Sequence, residues 1–169
     1  MCGSKTTLMQ NNISVRQIEE KDKDWIKKFI VSAWGSEIII ASKPFNALTL
    51  PGFIAELNGK TVGIVTFNIV KGKLEIVSLN STLEGKGIGS TLIAKMKELA
   101  KERKLKSVWL LTSNDNIDSL KFYQKRGFRI TKVYPNAIDE ARKIKPKIPE
   151  IGNYGIPLKD ALELEYRIY

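Results

Sequence analysis

"LEGKGIGSTLIAKMKELA", residues 83–100, decides how this chain is read. Glycine recurs at every second position, Gly85, Gly87 and Gly89, just before a run in which Ile88, Leu92, Ile93, Met96, Leu99 and Ala100 repeat at helical spacing. Glycine loses more conformational freedom on folding than any other residue, so three in a row of alternating positions need an offsetting gain. A helix start carries free amide N–H groups and the positive end of the helix dipole, and bare α-carbons let an anion approach them. The stretch therefore predicts a strand–glycine loop–helix unit with an anion cradle over residues 85–90. A Walker loop would need Gly-Lys-Ser/Thr, but Gly89-Ser90-Thr91 has no lysine, and the dinucleotide spelling G-x-G-x-x-G is G-x-G-x-G here.

Working upstream, Asn58-Gly59 sits between two strand patterns, which is a strong hairpin signal. A second turn at Lys71-Gly72-Lys73 brings in a third strand, so three antiparallel strands run up to the glycine loop. Residues 13–18 alternate as a first strand. Trp25, Ile26, Phe29, Ile30, Ala33 and Trp34 predict an amphipathic helix capped by Asp22 or Asp24 and ended by Gly35. "SEIIIAS" reads as a short strand, and "SKPFNALTLPG", with two prolines, as a loop.

Downstream, "SVWLLTS" is a continuous apolar run, the mark of a central strand buried on both faces. Asn114 or Asn116 caps a short helix reaching about Arg126, and Gly127 closes it. "FRITKVY" is another strand. Residues 135–160 hold a helix, "NAIDEARKIK", and then an irregular excursion rich in proline and glycine before the strand "LELEYRIY". The order β-α-β-β-β-α-β-α-β, an excursion and a last strand predicts an α+β domain with a mixed, mainly antiparallel sheet flanked by helices.

With 169 residues the chain is expected to form a single domain over 1–169, with 1–12 as a flexible N-terminus. The hydrophobic share of 43% and charged share of 27% are those of an ordinary globular protein. There is no histidine, which excludes Ser-His-Asp and Cys-His chemistry, and with Cys2 as the lone cysteine no metal site is expected. No apolar run approaches the roughly 18 residues of a membrane span, and the polar start does not look like a signal peptide, so a cytoplasmic protein is expected. The net charge of +10 fits an anionic ligand or, more plainly, lysine-rich solvated helix faces such as Lys95, Lys97, Lys101, Arg103 and Lys104.

The chain resembles the GNAT superfamily of N-acetyltransferases. "EGKGIG", Glu84 to Gly89, matches the acyl-CoA loop Gln/Arg-x-x-Gly-x-Gly/Ala, and "NIDSLKFYQKRGF", Asn116 to Phe128, matches N-x-x-A-x-x-x-Y-x-K-x-G-F. Two departures stand out: Glu84 replaces Gln/Arg, and Ser119 replaces Ala. The resemblance implies acetyl-CoA as co-substrate, held by Glu84, Gly85, Lys86, Gly87, Ile88, Gly89 and Ser90, largely through backbone amides, with Lys125 reaching the 3′-phosphate. It implies Glu75 as general base, a backbone amide at Leu79 or Asn80 for the oxyanion, and Tyr123 as the acid toward the departing thiolate. Asn116 and Ser119 would line the pantetheine arm.

The plain alternatives are an edge glutamate at Glu75, a core tyrosine at Tyr123 and surface lysines at Lys86 and Lys125. The expected activity is acetyl transfer to a primary amine by direct attack, with a small molecule or a protein as acceptor. Trp34, Phe45 and Phe53 would line the acceptor pocket, and residues 135–160 would wall it. A homodimer is compatible with the resemblance; no nucleic-acid or membrane partner is expected. The competing readings are a non-catalytic CoA-binding module and an RNA-binding protein using the basic helix face. The latter lacks stacking aromatics interleaved with its charge.

Overall fold

The structure is a computed structural model that describes residues 12–31, 37–40, 43–46 and 48–169. Asn58 (φ 52°), Gly59 (φ 75°), Lys71 (φ 51°) and Gly72 (φ 74°) all adopt the left-handed conformation that tight hairpins require. These turns fold β4 (Gly52–Leu57), β5 (Lys60–Val70) and β6 (Lys73–Ser81) into the expected antiparallel meander. With β1 (Ile13–Gln17), β7 (Ser107–Ser113), β8 (Arg129–Tyr134) and β9 (Ala161–Arg167) they build a seven-stranded sheet in the order β1-β4-β5-β6-β7-β9-β8. Only β6 and β7 pair in parallel; the other neighbours are antiparallel.

Two expectations upstream change. Residues 43–46, read as loop, form β3 (Lys43–Asn46), which pairs with β2 (Glu37–Ile40) in a separate two-stranded ladder. Proline lacks the ladder N–H but is tolerated where a strand has a free edge, so Pro44 does not exclude strand there. The helix after β1 begins as a 3-10 turn (Glu20–Asp22), continues as α1 (Lys23–Ile26) and widens into a π-turn (Lys27–Val31). Ala33, Trp34 and Gly35 lie outside the described residues. Asp22 accepts the Glu19 N–H at 2.8 Å, and the Arg16 guanidinium forks onto it at 2.7 and 2.8 Å.

Helix α2 (Ile88–Glu102) buries the face read from the sequence: Ile88, Leu92, Ile93, Met96, Leu99 and Ala100. It packs on Val62, Val65, Phe67, Leu74 and Ile76, while Ile54, Ile64 and Val77 point to the opposite face, under Ile26 and Ile30. Truncating a fully buried side chain such as Leu92 to alanine costs about 2–5 kcal/mol. A methyl group on Gly63 would lie 2.6 Å from Ile88 Cγ2, so the missing side chain lets the first turn of α2 rest directly on β5. Lys97, expected on the solvated face, instead lies 3.7 Å from the Tyr166 ring centroid and donates to Arg126 O at 2.6 Å. No described helix is long and apolar enough to cross a membrane.

Two irregularities in β6 create the site. Thr66 pairs with Ser78 but Phe67 pairs with Ile76, so Val77 is an extra residue, a bulge. The bulge flips the alternation. Leu79 packs with Leu74 and Ile76 on the α2 face, whereas Val77 is on the other, so Glu75, Val77 and Leu79 do not share one face as expected. Moreover, β6 pairs with β7 only at Leu74–Val108 and Glu75–Trp109, after which the two strands diverge.

Candidate active site

The divergence of β6 and β7 opens a cleft of about 590 Å³. Its walls are the end of β6 (Leu79, Asn80, Ser81), the loop and first turn of α2 (Leu83, Glu84, Gly85, Gly87, Ile88, Gly89, Ser90) and one side of α3 (Ile117–Gln124) with the turn after it. Asp118, Ser119, Phe122, Tyr123 and Arg126 supply that last wall. Ten of the expected cofactor residues thus meet in one cleft: Leu79, Asn80, Glu84, Gly85, Gly87, Ile88, Gly89, Ser90, Ser119 and Tyr123. Lys86 and Lys125 are exposed and do not line it, and Asn116 lies just outside its lining.

The three glycines have different physical reasons. Gly85 (φ 69°) and Gly87 (φ 79°) are left-handed, and a Cβ at either would meet only open space. They are needed for the turn, and they leave the cradle uncovered. Gly89 is needed for packing: a Cβ there would lie 3.0 Å from Phe122 Cζ, so its absence brings α2 against α3. Gly87 is the N-cap of α2, and no side chain caps that end. The first amides of a helix have no intrahelical acceptor, so those at residues 88–90 stay available to a ligand. The donor set therefore suits a phosphate group, although Glu84 adds an unfavourable negative charge on the cleft wall.

On the strand side, Thr82 N–H donates to Val62 O at 2.8 Å. Alternation along an antiparallel ladder then turns the Asn80 amide toward β5 and the Leu79 amide toward the gap before β7. Glu75, at the last β6–β7 pair, is buried, with Leu74 and Ile76 on either side pointing to the α2 face. By strand alternation its carboxylate is directed to the opposite face, where Thr66 and Ser78 share a 2.6 Å hydrogen bond between hydroxyls. A solvent-facing edge position does not describe it.

Tyr123 is buried on α3 and packs edge-on against Phe122 and Phe128, with ring centroids 5.1 and 5.4 Å away. Burial raises its phenol above the ordinary tyrosine range, with the Arg126 charge opposing weakly, so it remains a proton donor at neutral pH. It is both a core side chain and part of the cleft wall. Asn116 Oδ1 accepts the Ser119 N–H at 3.1 Å and so caps α3 as read. Gly127 (φ 84°) ends the turn that follows.

The excursion is ordered by polar contacts, some half-buried and some exposed. Helix α4 (Ala137–Ile144) presents Arg142, which donates to Ile148 O at 3.0 Å, Pro149 O at 2.9 Å and Leu158 O at 2.9 Å. Asn114 holds the return strand by accepting the N–H groups of Lys159 and Asp160, both at 3.0 Å. At the tip, Tyr154 (φ 57°) donates its hydroxyl to Asp118 Oδ2 at 2.6 Å, so the excursion touches the cleft wall from outside. Among the expected acceptor residues, Phe53 is buried on the α2 face and Phe45 packs on the opposite face, so those two do not line one pocket. Ser81, Leu83, Asp118, Phe122 and Arg126 line the cleft without having been read from the sequence; the i, i+4 pairing of Asp118 with Phe122 was the available signal. Among the described residues, no three metal-ligating side chains gather.

The family model for the acetyltransferase (GNAT) family matches residues 16–128. The chain is 40% identical over 144 residues to the uncharacterized protein YxbD of Bacillus subtilis (strain 168), covering 84% of this chain and 91% of that one. It is 39% identical over 142 residues to the uncharacterized protein YdhI of the same strain, covering 83% and 89%. Among solved structures, an IAA acetyltransferase from Bacillus cereus aligns with a TM-score of 0.69 at 20% identity, over 92% of this chain and 99% of that one. A GNAT family acetyltransferase from Elizabethkingia anophelis with acetyl-CoA bound aligns with a TM-score of 0.68 at 22% identity, over 94% and 100%.

Proposed function

Since the chain belongs to the GNAT acetyltransferase family, we propose that it moves an acetyl group from acetyl-CoA to a primary amine by direct attack, without a covalent enzyme intermediate. The observation that carries this reading is the cleft itself. Uncapped helix amides, a strand amide facing the gap and a buried protonated phenol converge on one wedge between parallel strands. Acetyl-CoA, when bound, supplies an activated thioester.

The chain's own groups do the rest. The amides of residues 85–90 hold the diphosphate, Ser119 flanks the pantetheine arm and the capping Asn116 orients that wall. The Leu79 amide donates to the carbonyl oxygen as negative charge develops on it. An amine attacks only when neutral, and a lysine-type amine has a pKa near 10.4, so a base must take its proton. Glu75, buried where β6 and β7 part, is that base. Tyr123 gives its proton to the departing thiolate.

A screen of amine acceptors with acetyl-CoA, following thiol release, tests this. Glu75→Gln and Tyr123→Phe should each lower turnover by about tenfold or more with a folded protein. Thiol release that no amine accelerates would reject the reading, and unchanged turnover in either variant would remove that residue from the mechanism.

A further inference from the structure

Three charged side chains line the cleft among the described residues, Glu84, Asp118 and Arg126, and only Arg126 is a cation. Its setting is unusual for a half-buried arginine. The guanidinium carbon lies 3.5 Å from the Phe122 ring centroid. Nε and Nη2 both donate to Ser90 Oγ, at 3.1 and 2.5 Å, and Nη1 donates to Phe122 O at 2.7 Å. No carboxylate of the described residues pairs with it, although a guanidinium carries five N–H donors, and its three contacts are to neutral oxygens. Two donors spend themselves on a single hydroxyl, which a charged oxygen would satisfy better.

The surroundings add positive potential. Lys97, itself without a described carboxylate, holds the Arg126 carbonyl at 2.6 Å, and Ser90 stands in the first turn of α2, among the uncapped amides. Burial lowers both the Arg126 and Lys97 pKa values, and the Arg126 charge adds to the lowering at Lys97; both directions describe cations short of a counter-charge.

We propose that Arg126 reads a phosphate group of the cofactor, with Ser90 and the Phe122 ring fixing its guanidinium plane at the mouth of the cradle. The assignment rests on the proposed acetyl-CoA reading and goes beyond it. It moves the cationic contact from Lys86 and Lys125, which are exposed and do not line the cleft, to a residue that the loop itself does not contain. Arg126 offsets the charge of Glu84 and makes the site select phosphorylated thioesters over a bare acyl-pantetheine arm.

The test is calorimetric titration of the full chain with CoA and with 3′-dephospho-CoA, for wild type, Arg126→Gln and Arg126→Lys. Arg126→Gln should weaken CoA binding by about tenfold or more, with Arg126→Lys between it and wild type, because lysine keeps the charge but loses the planar fork. A loss confined to CoA identifies the 3′-phosphate as the partner; an equal loss for both ligands identifies the diphosphate. Either result supports the assignment. Wild-type affinity for both ligands in both variants overturns it while leaving the acetyl-CoA reading intact. A wild-type protein that binds neither ligand overturns both. If Arg126→Gln does not fold, the comparison of Arg126→Lys with wild type decides, with unchanged affinity counting against the assignment.

Discussion

The carboxylate of Asp115 accepts both amides of Asn153, the backbone N–H at 2.7 Å and the side-chain Nδ2 at 2.8 Å. It also takes the Ser113 hydroxyl on its other oxygen. Asp115 lies two residues after β7, in the turn that leads into α3, so the segment that brings in one wall of the cleft also anchors the tip of the excursion. The two are pressed close: a Cβ on Gly152 would lie 2.2 Å from Asp115 Oδ2.

That closeness predicts that Gly152→Ala expels the tip from its anchor. Loss of the buried hydrogen bonds should cost about 1–3 kcal/mol. Limited proteolysis should then cut within residues 145–160 faster than in wild type, while the glycine-loop region stays protected. Unchanged cleavage would show that the anchor contributes nothing to holding the excursion.

Glu84→Gln should tighten CoA binding by about two- to fivefold at low salt, since it removes a partly screened negative charge from the wall of an anion cleft. The effect should shrink as ionic strength rises. Weaker binding in the variant would mean that the carboxylate makes a contact favourable to the cofactor.

Gly87→Ala tests the turn. An L-residue at φ 79° is strained, and the penalty is about 1–2 kcal/mol. Chemical denaturation should register that loss, and CoA titration should weaken along with it. Gly89→Ala acts differently: its Cβ would meet the Phe122 ring at 3.0–3.1 Å, so it should displace Phe122 and with it the Arg126 guanidinium stacked there.

Alkaline pH should destabilise the protein through the half-buried phenol of Tyr134 and the buried one of Tyr123. Burial, followed by the Glu163 hydrogen bond, pushes Tyr134 up to about 12, and burial raises Tyr123 further. An unfolded phenol ionises near pH 10. Above that pH the unfolded chain releases protons that the folded chain keeps, so stability present below pH 10 falls between pH 10 and 12. Tyr134→Phe should flatten part of this slope in circular-dichroism melts recorded from pH 9 to 12.

The parts governed by local pattern were legible in the sequence. The α2 face, the two left-handed hairpin turns and the Asn116 cap need only neighbouring residues, and each is where the spacing puts it. The features that depend on distant partners were hidden. The doublet Ile76-Val77 was the only trace of the bulge, since two adjacent apolar residues are also what a doubly buried strand shows. Lys97 sits one turn after Ile93, at the border of the buried face, and only Tyr166 and Phe128, far along the chain, make that border aromatic. Arg126 stands one turn after Phe122, on which it stacks, but its role also depends on Ser90, which lies 36 residues away.

The brevity of the β6–β7 pairing has a mechanical meaning. Across that line the sheet is two leaves, the meander on one side and the C-terminal strands on the other, joined through the backbone at two register positions, Leu74–Val108 and Glu75–Trp109, and by the Lys106 N–H to Gly72 O hydrogen bond of 2.8 Å. The shared core under α2 already ties the leaves together, and a molecule lying in the wedge bridges both and acts as a strut, adding its own resistance to shear between them. The loaded protein is therefore the stiffer object, and its resistance to force and heat rises with the concentration of whatever occupies the gap.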